Sequence, residues 1–251
     1  MRTRITAAGL CGVASYGALL VQCARGVPPQ SRWPVTGSHE SASLEHLLEA
    51  ERASRSQAPW KAVVQVTMRD PKSGKVVDGR GGISVSAGRA VRVVLLGPAG
   101  LTLFDAWVTP ARWRVAVPPA DIVRRGDADD PIDLPVAFLR WWFFTPLEGT
   151  VFASRAIPGG AQWLMRDRGA VIDLSSGACS AGRLLHATRR ARGHVETVEE
   201  CRSDAAPRPG DFVRYTDLSN GLKIELALES VADASPESEA FTDPDAARGG
   251  T

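Results

Sequence analysis

Residues 89–118 constrain the fold more than any other stretch, because they form three β-rich runs separated by two short turns. The first run ends in Leu95 and Leu96, and the second begins with Leu101 after the tetrapeptide G-P-A-G. Proline fixes one φ angle and glycine permits positive φ, so this tetrapeptide predicts a tight turn between antiparallel strands. Loop tips normally face water, which makes a leucine-flanked turn unusual. The turn therefore either packs under another segment or contacts an apolar partner.

Short strand candidates recur along the rest of the chain, at spacings typical of hairpins rather than of βαβ units. They cover residues 60–68, 76–86, 151–156, 161–165, 170–174, 183–188, 194–198, 211–218 and 222–231. The last two candidates flank Ser219-Asn220-Gly221, a strong hairpin signal. Residues 122–130 are expected to be a polar loop. These patterns predict an α+β, mostly β fold with one strongly curved antiparallel sheet of about 10–11 strands.

Two helices are predicted beside the sheet. The first begins near Ser43 and ends near Arg55, with leucines at helical spacing. The second spans residues 133–146 and is apolar nearly all round, so both of its sides must be covered. Two interpretations of it stay open: a core helix that fills the sheet, or a lid over a cavity that a ligand can share.

The N-terminal segment predicts export. In residues 1–22 two arginines precede a modest apolar run that is too short for a convincing membrane span. The segment ends in L-V-Q-C, which resembles a bacterial lipobox, so Cys23 would become the acylated first residue. Gln22 departs from the small residue usual before that cysteine, and an ordinary signal peptide is the alternative. We expect a flexible linker over 23–42, the domain over 43–232, and a disordered tail over 233–251.

Composition and charge restrict the function further. The 251 residues are 44% hydrophobic, which is enough for one sizeable core. The net charge of +2 is matched by the two arginines of residues 1–22, which leaves the rest without net charge and argues against nucleic acid as a partner. With Cys23 acylated, Cys179 and Cys201 remain in an exported chain, and a structural disulfide between them is expected. Two free thiols are the alternative.

No pattern in the sequence predicts catalysis. The four histidines lie apart, and none has the spacing of a metal ligand set. No nucleophile and base stand in a recognisable catalytic pattern, so an exported hydrolase is the least favoured hypothesis. We therefore expect no enzyme, no metal site and no cofactor.

Three stretches resemble, in the same order, those of the LolA/LolB superfamily, and LolB-type outer-membrane lipoproteins in particular. Residues 91–108 look like that family's leucine-rich strand, Pro-x-Gly turn and following strand. Residues 133–146 are similar to its segment with a proline, a leucine, an Arg-Trp pair and a closing proline, and residues 211–231 look like its closing hairpin. The resemblance covers residues 60–231 together with the lipobox-like start.

The resemblance implies an incomplete barrel whose helices cover a hydrophobic cavity. It implies a lipid-anchored monomer at the periplasmic face of the outer membrane, which binds the acyl chains of a lipoprotein or lipid and passes them to that membrane. A soluble periplasmic lipoprotein carrier is a further expected partner, and no cofactor takes part. The alternative is an envelope scaffold of the same fold with a filled core and no transport activity.

The resemblance also assigns residues to acyl-chain binding and to contact with the membrane. The acyl-chain cavity would be lined by Trp60, Val64, Val66, Val93, Leu95, Leu103, Trp107, Phe138, Trp142, Ile224 and Leu226. The membrane-facing turn would consist of Leu96, Pro98, Ala99 and Leu101. LolB-type proteins carry a protruding leucine where this sequence has Ala99, and alanine buries far less apolar area. This departure puts the insertion step in question.

Overall fold

The computed structural model describes residues 38–55, 58–69, 71, 73–127, 136–144, 147–191, 193–203 and 206–245. The signal segment, Cys23 and most of the linker lie outside the described residues, as do both ends of the predicted second helix, Asp133 and Pro146. Helix α1 spans Ser38–Ser54, and helix α2 is the single turn Val136–Phe138. Helix α2 continues directly into a π-helical turn, Leu139–Phe144. We call residues 136–144 the tryptophan-rich segment.

The described residues contain thirteen strands in one sheet. Their bounds are β1 Trp60–Arg69, β2 Val76–Ser86, β3 Ala90–Leu96, β4 Thr102–Val108, β5 Arg112–Val117, β6 Ile122–Asp127, β7 Thr150–Ile157, β8 Gly160–Asp167, β9 Ala170–Cys179, β10 Gly182–Ala191, β11 His194–Arg202, β12 Phe212–Asp217 and β13 Lys223–Asp233.

The sheet is an antiparallel meander that is joined in its middle by the first and last strands. Its order is β6-β5-β4-β3-β2-β1-β13-β12-β11-β10-β9-β8-β7, so β6 and β7 are its edges. The fold class is confirmed: the chain forms one curved, open antiparallel sheet. The strand count is higher than predicted, and residues 122–127, predicted to lie in a loop, form strand β6. Their charges are compatible with an edge strand because an edge can expose both faces to water.

The turns between strands define two opposite ends of the sheet. We call the end that carries the β3–β4 turn the upper end. It also carries the β1–β2, β5–β6 and β12–β13 turns, because neighbouring strands run in opposite directions. We call the opposite end, which carries the β2–β3 and β4–β5 turns, the lower end.

Two elements cover the concave face of the sheet. Helix α1 buries Leu44 and Leu48, and its Leu44 carbonyl accepts a hydrogen bond of 2.9 Å from the Trp163 indole. The helix begins at Ser38 rather than near Ser43. The tryptophan-rich segment stacks Phe138 on Tyr215, with 4.7 Å between ring centroids. As the pattern predicts, both sides of this segment are covered; its buried residues are Val136, Phe138, Leu139, Trp141, Trp142 and Phe144.

A disulfide joins the two cysteines considered in the sequence. Cys179 ends β9 and Cys201 lies near the end of β11, and their Cα atoms are 6.1 Å apart. Both strands pair with β10, so the bond connects the two neighbours of one strand at the lower end of the sheet.

The described part of the segment after β13, which reaches Asp245, lies within the expected tail and contacts the sheet. A 3₁₀ turn, Glu239–Phe241, buries the Phe241 ring. Asp245 then accepts hydrogen bonds from Arg114 at 3.1 Å and from Arg125 at 2.6 Å on the outer face of the sheet. One buried aromatic ring and these ion pairs hold the segment in place.

Candidate functional site

A cavity of about 520 Å³ lies between the lower half of the concave face and its cover. Its floor and cover are apolar and aromatic; they consist of Trp60, Val64, Ile83, Val85, Val213, Leu226 and Leu228 from the strands, and Trp142, Phe143 and Phe144 from the tryptophan-rich segment. Pockets for single small-molecule ligands typically occupy about 300–1,000 Å³, and this cavity falls within that range. Its lining suits a hydrocarbon chain better than a polar metabolite.

A glycine lies at the upper boundary of this cavity floor. Gly81 is buried in β2 and pairs with Val64 of β1. A Cβ atom built on Gly81 would lie 2.2 Å from the Val94 carbonyl oxygen, so no side chain fits there without moving the backbone. The glycine therefore lets β2 and β3 approach closely and keeps the concave face free of a side chain at this point.

One wall of the cavity is charged rather than apolar. Arg55 pairs with Glu200, and Arg202 lies 3.1 Å from Glu51 and 3.8 Å from Glu200. Glu51, Glu200 and Arg202 are all buried, and Glu51 also accepts a hydrogen bond of 2.9 Å from the more exposed Arg183. Burial lowers the pKa of Arg55, while the neighbouring Glu200 acts in the opposite direction.

The charged wall meets the aromatic cover at Arg55 and Trp142. The guanidinium carbon of Arg55 lies 4.9 Å from the centroid of the Trp142 ring, which is within cation–π distance. Both residues line the cavity. Arg52 also lines it and donates hydrogen bonds of 3.0 Å to the carbonyl oxygens of Leu147 and Gly149, which joins α1 to the start of β7.

The upper half of the concave face is nearly filled. The void that the described residues line there, between the sheet and the tryptophan-rich segment, has a volume of about 30 Å³. Phe138 and Leu139 cover it, and Leu226 lines both this void and the large cavity. The concave face thus has one hollow half and one packed half.

The residues predicted to line one cavity fall into three places. Trp60, Val64, Trp142 and Leu226 line the large cavity. Val66, Val93, Leu95, Phe138 and Ile224 line the small upper void. Leu103 and Trp107 line neither of these two spaces. Trp107 shares a face of β4 with Asp105, which pairs with Arg92 and Arg114 on the outer side of the sheet. Sequence reasoning missed several lining residues, although the period-two spacing of Ile83 and Val85 could have identified those two.

The upper end of the sheet carries an exposed apolar rim. Of the nine large hydrophobic side chains that are most exposed in the described residues, seven lie in or beside its turns: Val76, Val77, Leu96, Leu101, Ile122, Val123 and Leu218. Leu101 is 67% exposed, and Pro98 and Ala99 beside it are also exposed. These exposed apolar side chains are spread along one end of the sheet, from β6 to β12. Exposed Lys75 and Lys223 lie at the same end.

The described residues offer neither a metal-ligand cluster nor a membrane-spanning helix. Among the described residues, no group of three or more histidine, cysteine, aspartate or glutamate side chains is arranged to hold a metal ion. Over the same ranges, no helix is both long enough and apolar enough to cross a membrane.

Several solved structures have a similar fold. A LolA superfamily protein from Nitrosomonas europaea superposes with a TM-score of 0.52 at 12% identity, covering 80% of this chain and 97% of its own. The chain shares the fold of this protein. A DUF1329 family protein from Desulfovibrio piger gives a TM-score of 0.52 at 10% identity, covering 82% of this chain and 98% of its own. A domain assigned to outer membrane lipoprotein sorting, from Vibrio parahaemolyticus, gives 0.50 at 10% identity, covering 80% and 97%.

The resemblance to the LolA/LolB superfamily is therefore confirmed at the level of the fold. No protein-family model matches the chain, and no curated protein sequence matches it. Identities of 10–12% carry the architecture and not the activity. The features of this chain that bear on its function are its own cavity and its exposed apolar rim.

Proposed function

We propose that this protein is lipid-anchored at the periplasmic face of the outer membrane, binds an acyl chain of a lipid or lipoprotein, and passes it to that membrane. The observation that carries the proposal is the apolar cavity of about 520 Å³ beneath the aromatic cover. Burying each methylene group contributes about 0.8 kcal/mol, so a carrier needs an apolar hollow of matching length. Binding and release change no covalent bond, and the activity requires no enzyme chemistry and no cofactor.

The size of the cavity favours one acyl chain at a time. Its volume is that of a site for a single small ligand, and the packed upper half offers only about 30 Å³ more. A triacylated lipoprotein would therefore place one of its chains inside and leave the others against the surface. A lipid with a single chain would be enclosed more completely.

The apolar rim supports the membrane part of the proposal. Leu96 and Leu101 flank the turn that the resemblance assigns to membrane insertion, and both are exposed. Lys75 and Lys223 at the same end would add about 1 kcal/mol each of attraction to an anionic lipid surface. Although Ala99 replaces the leucine of LolB-type proteins, the neighbouring leucines supply an apolar surface of the same kind.

Two solved structures with this fold are consistent with the proposal. One is a LolA superfamily protein, and another is assigned to outer membrane lipoprotein sorting. This support is an analogy between folds. It makes acyl-chain binding the first activity to test, and it does not identify the ligand.

The packed upper half favours a second candidate, an envelope scaffold whose core is filled and which transports nothing. The sequence suggests Phe138→Arg as a discriminating variant, with unfolding expected for a scaffold and loss of uptake for a carrier. Phe138 is 1% exposed and stacked on Tyr215, so we expect this variant to unfold in either case. A variant at the large cavity is needed instead.

Ala87→Trp provides that test. Ala87 is half-buried in the β2–β3 turn and lines the cavity, so an indole there would occupy ligand space without entering the packed core. Ala111→Trp is the matched control, because Ala111 lies exposed in the β4–β5 turn at the same end and is not among the cavity-lining residues. Each variant is made in the full chain with Cys23→Ser, which prevents acylation.

The measurement is saturable uptake of a fluorescent fatty-acid probe. We expect uptake by the Cys23→Ser chain and by its Ala111→Trp form, and loss of uptake by the Ala87→Trp form. The apolar N-terminal segment is present in all three proteins, so probe held there would not respond to position 87. Equal uptake by all three, or none by any, would reject acyl-chain binding in this cavity.

A further inference from the structure

A row of cationic and aromatic side chains crosses the outer face of the sheet from β3 to β6. Arg92 pairs with Trp107, and Trp107 pairs with Arg114. Arg114 in turn pairs with Arg125, so all four side chains lie on one face. Like charges directly opposite each other destabilise a sheet, and Arg114 and Arg125 form such a pair. The row therefore needs carboxylates beside it.

The sheet itself supplies only part of this balance. Asp105 of β4 accepts hydrogen bonds of 2.9 and 3.0 Å from Arg92, and one of 3.3 Å from Arg114. Asp127 ends β6 and pairs in register with Arg112, which lies on the same face as Arg114. The first acid is thus engaged mainly by Arg92, at the far end of the row from β6.

The C-terminal segment, residues 234–245, supplies two further carboxylates. Asp245 accepts hydrogen bonds from Arg114 at 3.1 Å and from Arg125 at 2.6 Å, and Asp243 lies 3.4 Å from Arg112. These contacts join positions that are 120 or more residues apart in the case of Asp245. The segment thus lies on the row as an acidic peptide lies on a cationic surface.

The segment does not fill the space that it covers. A groove of about 270 Å³ remains between it and the sheet. The described residues that line this groove are Trp107, Arg112, Trp113, Arg114, Arg125, Gly126 and Asp127 from the sheet, and Asp243 and Asp245 from the segment. Without the segment, three arginines of the lining would face one aspartate. We call this space the outer groove.

The contacts that hold the segment are of a kind that opens easily. Its Phe241 ring is buried, but the side chains of Arg112 and Arg125 are 61% and 58% exposed. Ion pairs with such exposed partners contribute little to stability. Segments with few buried apolar contacts open locally at a lower free energy than the whole fold. The occupant of the outer groove is therefore exchangeable.

We propose that the outer groove binds an acidic peptide segment of a partner protein, and that the C-terminal segment of this chain is its internal competitor. The present occupant indicates the chemistry: an aromatic ring is followed, two and four residues later, by carboxylates. A partner segment with this pattern meets the same arginines and has the unfilled space available for larger side chains. The inference is independent of acyl-chain binding, because none of these arginines lines the large cavity.

The first test uses a dye-labelled peptide with the sequence of residues 236–245, P-E-S-E-A-F-T-D-P-D. Fluorescence anisotropy measures its binding to the full chain carrying Cys23→Ser, the parent chain. It is compared with the same chain that also carries Phe241→Ser, Asp243→Asn and Asp245→Asn, the released chain. We expect saturable binding to the released chain. Binding to the parent chain should be at least tenfold weaker, because a tethered competitor acts at about millimolar effective concentration.

The second test locates the peptide on the row. Arg125→Gln in the released chain should weaken peptide binding about two- to fivefold, as expected for one exposed ion pair. Arg214→Gln is the matched control, because Arg214 is a similarly exposed arginine that pairs with Glu199 and Glu225 and does not line the outer groove. A peptide with asparagine in place of both aspartates should not bind. Inorganic phosphate at ten times the peptide concentration should not displace the peptide.

A milder variant covers the case in which the released chain does not fold. Asp245→Asn alone removes one carboxylate of the competitor and keeps the Phe241 ring in place. This single substitution in the parent chain should tighten peptide binding about two- to fivefold. Circular dichroism establishes which of the two variants is folded and therefore used.

Each outcome supports or overturns the assignment. Saturable binding that Arg125→Gln weakens and Arg214→Gln does not supports it. Absence of binding to either variant, or equal weakening by both arginine substitutions, overturns it. Complete exclusion of millimolar peptide from the parent chain would make the C-terminal segment a permanent part of the fold, and displacement by phosphate would reveal an adventitious ion only. Uptake of the acyl probe should be the same in all these proteins, so failure here leaves the proposed function untouched.

Discussion

The upper and lower halves of the concave face are built on the same strands but are filled very differently. The upper half leaves about 30 Å³ empty, whereas the lower half encloses about 520 Å³. In the upper half the Phe138 ring stacks on Tyr215 and fills the space between cover and sheet. In the lower half Trp142 and Phe143 cover the sheet without filling it, and a charged wall takes the place of further apolar side chains.

The packed upper half of the core therefore contributes mainly to stability, and the hollow lower half provides space for a ligand. Close packing contributes most of the stabilisation, because voids lose both hydrophobic transfer energy and dispersion contacts. The lower half keeps an apolar hollow although this loses part of that stabilisation. Leu226 contributes to both halves, so the packed part can hold the strands that form the floor of the hollow part.

Removing an aromatic ring from each half gives the largest expected contrast. We expect Phe138→Ala to lower the free energy of unfolding by about 3–5 kcal/mol, because it opens a hole in close-packed surroundings. Phe143→Ala should cost about 1–2 kcal/mol, since that ring is half-buried and already borders the cavity. Urea denaturation of both proteins measures the two losses. Equal losses would show that the two halves do not differ in packing.

Breaking the charged wall is expected to have the next largest effect. Glu200→Ala leaves Arg55 and Arg202 buried without one of their acceptors, so the free energy of unfolding should fall by about 3 kcal/mol. Glu225→Ala is the control, because Glu225 pairs with Arg214 on the exposed surface, where such pairs contribute about 0–1 kcal/mol. Thermal and urea unfolding compare the two variants. A loss at Glu200 no greater than that at Glu225 would mean that the wall does not support the hollow half.

A substitution in the exposed rim should have a smaller effect. It should change binding to the membrane rather than binding of the acyl chain. Ala99→Leu restores the residue that LolB-type proteins carry at this turn, and it should strengthen binding to anionic phospholipid vesicles by about 1 kcal/mol, or roughly fivefold. Flotation of the Cys23→Ser chain with phosphatidylglycerol vesicles measures this change. Ala111→Leu at the lower end is the control and should bind as the parent does. An equal gain at both positions would show that the upper end has no special role in membrane binding.

The smallest effect is expected where the C-terminal segment meets the outer face, away from both halves. A hydrogen bond from Arg125 holds the pKa of Asp245 below its ordinary value. A carboxylate with a lowered folded-state pKa stabilises the protein above its unfolded pKa of about 3.9, and this contribution is lost as the pH falls through the folded value. Asp245→Asn should therefore cost under about 1 kcal/mol at neutral pH, since the contact is partly solvated.

A pH series of unfolding measurements checks the sign of this effect. The difference between the parent and the Asp245→Asn protein should shrink as the pH falls below about 4. A difference that grows in acid would contradict the assigned direction. Uptake of the acyl probe should be the same in both proteins, because Asp245 does not line the large cavity.

Local patterns predicted the sheet, but they could not predict which face of each strand points into the cavity. Leu103 and Trp107 were expected to line the cavity, yet β4 carries apolar side chains on both faces. Asp105 lies between them at period two and was the available signal that their face is the outer one. Trp107 is nevertheless buried on that outer face.

The charged wall and the order of the C-terminal segment depend on contacts between distant parts of the chain. Arg55 and Glu200 are separated by 145 positions, and no local pattern pairs them. The C-terminal segment has the composition of a disordered tail, and only its single Phe241 hinted at an anchoring contact. Tertiary contacts of this kind are set by topology rather than by neighbouring residues.

Native mass spectrometry of the full-length protein, extracted from its own cell envelope, tests the central claim most directly. The account predicts that the protein carries one non-covalently bound lipid with an acyl chain, and that the Ala87→Trp protein prepared in the same way carries none. Extraction of the unsubstituted protein without any bound lipid, or of both proteins with the same lipid load, would contradict it.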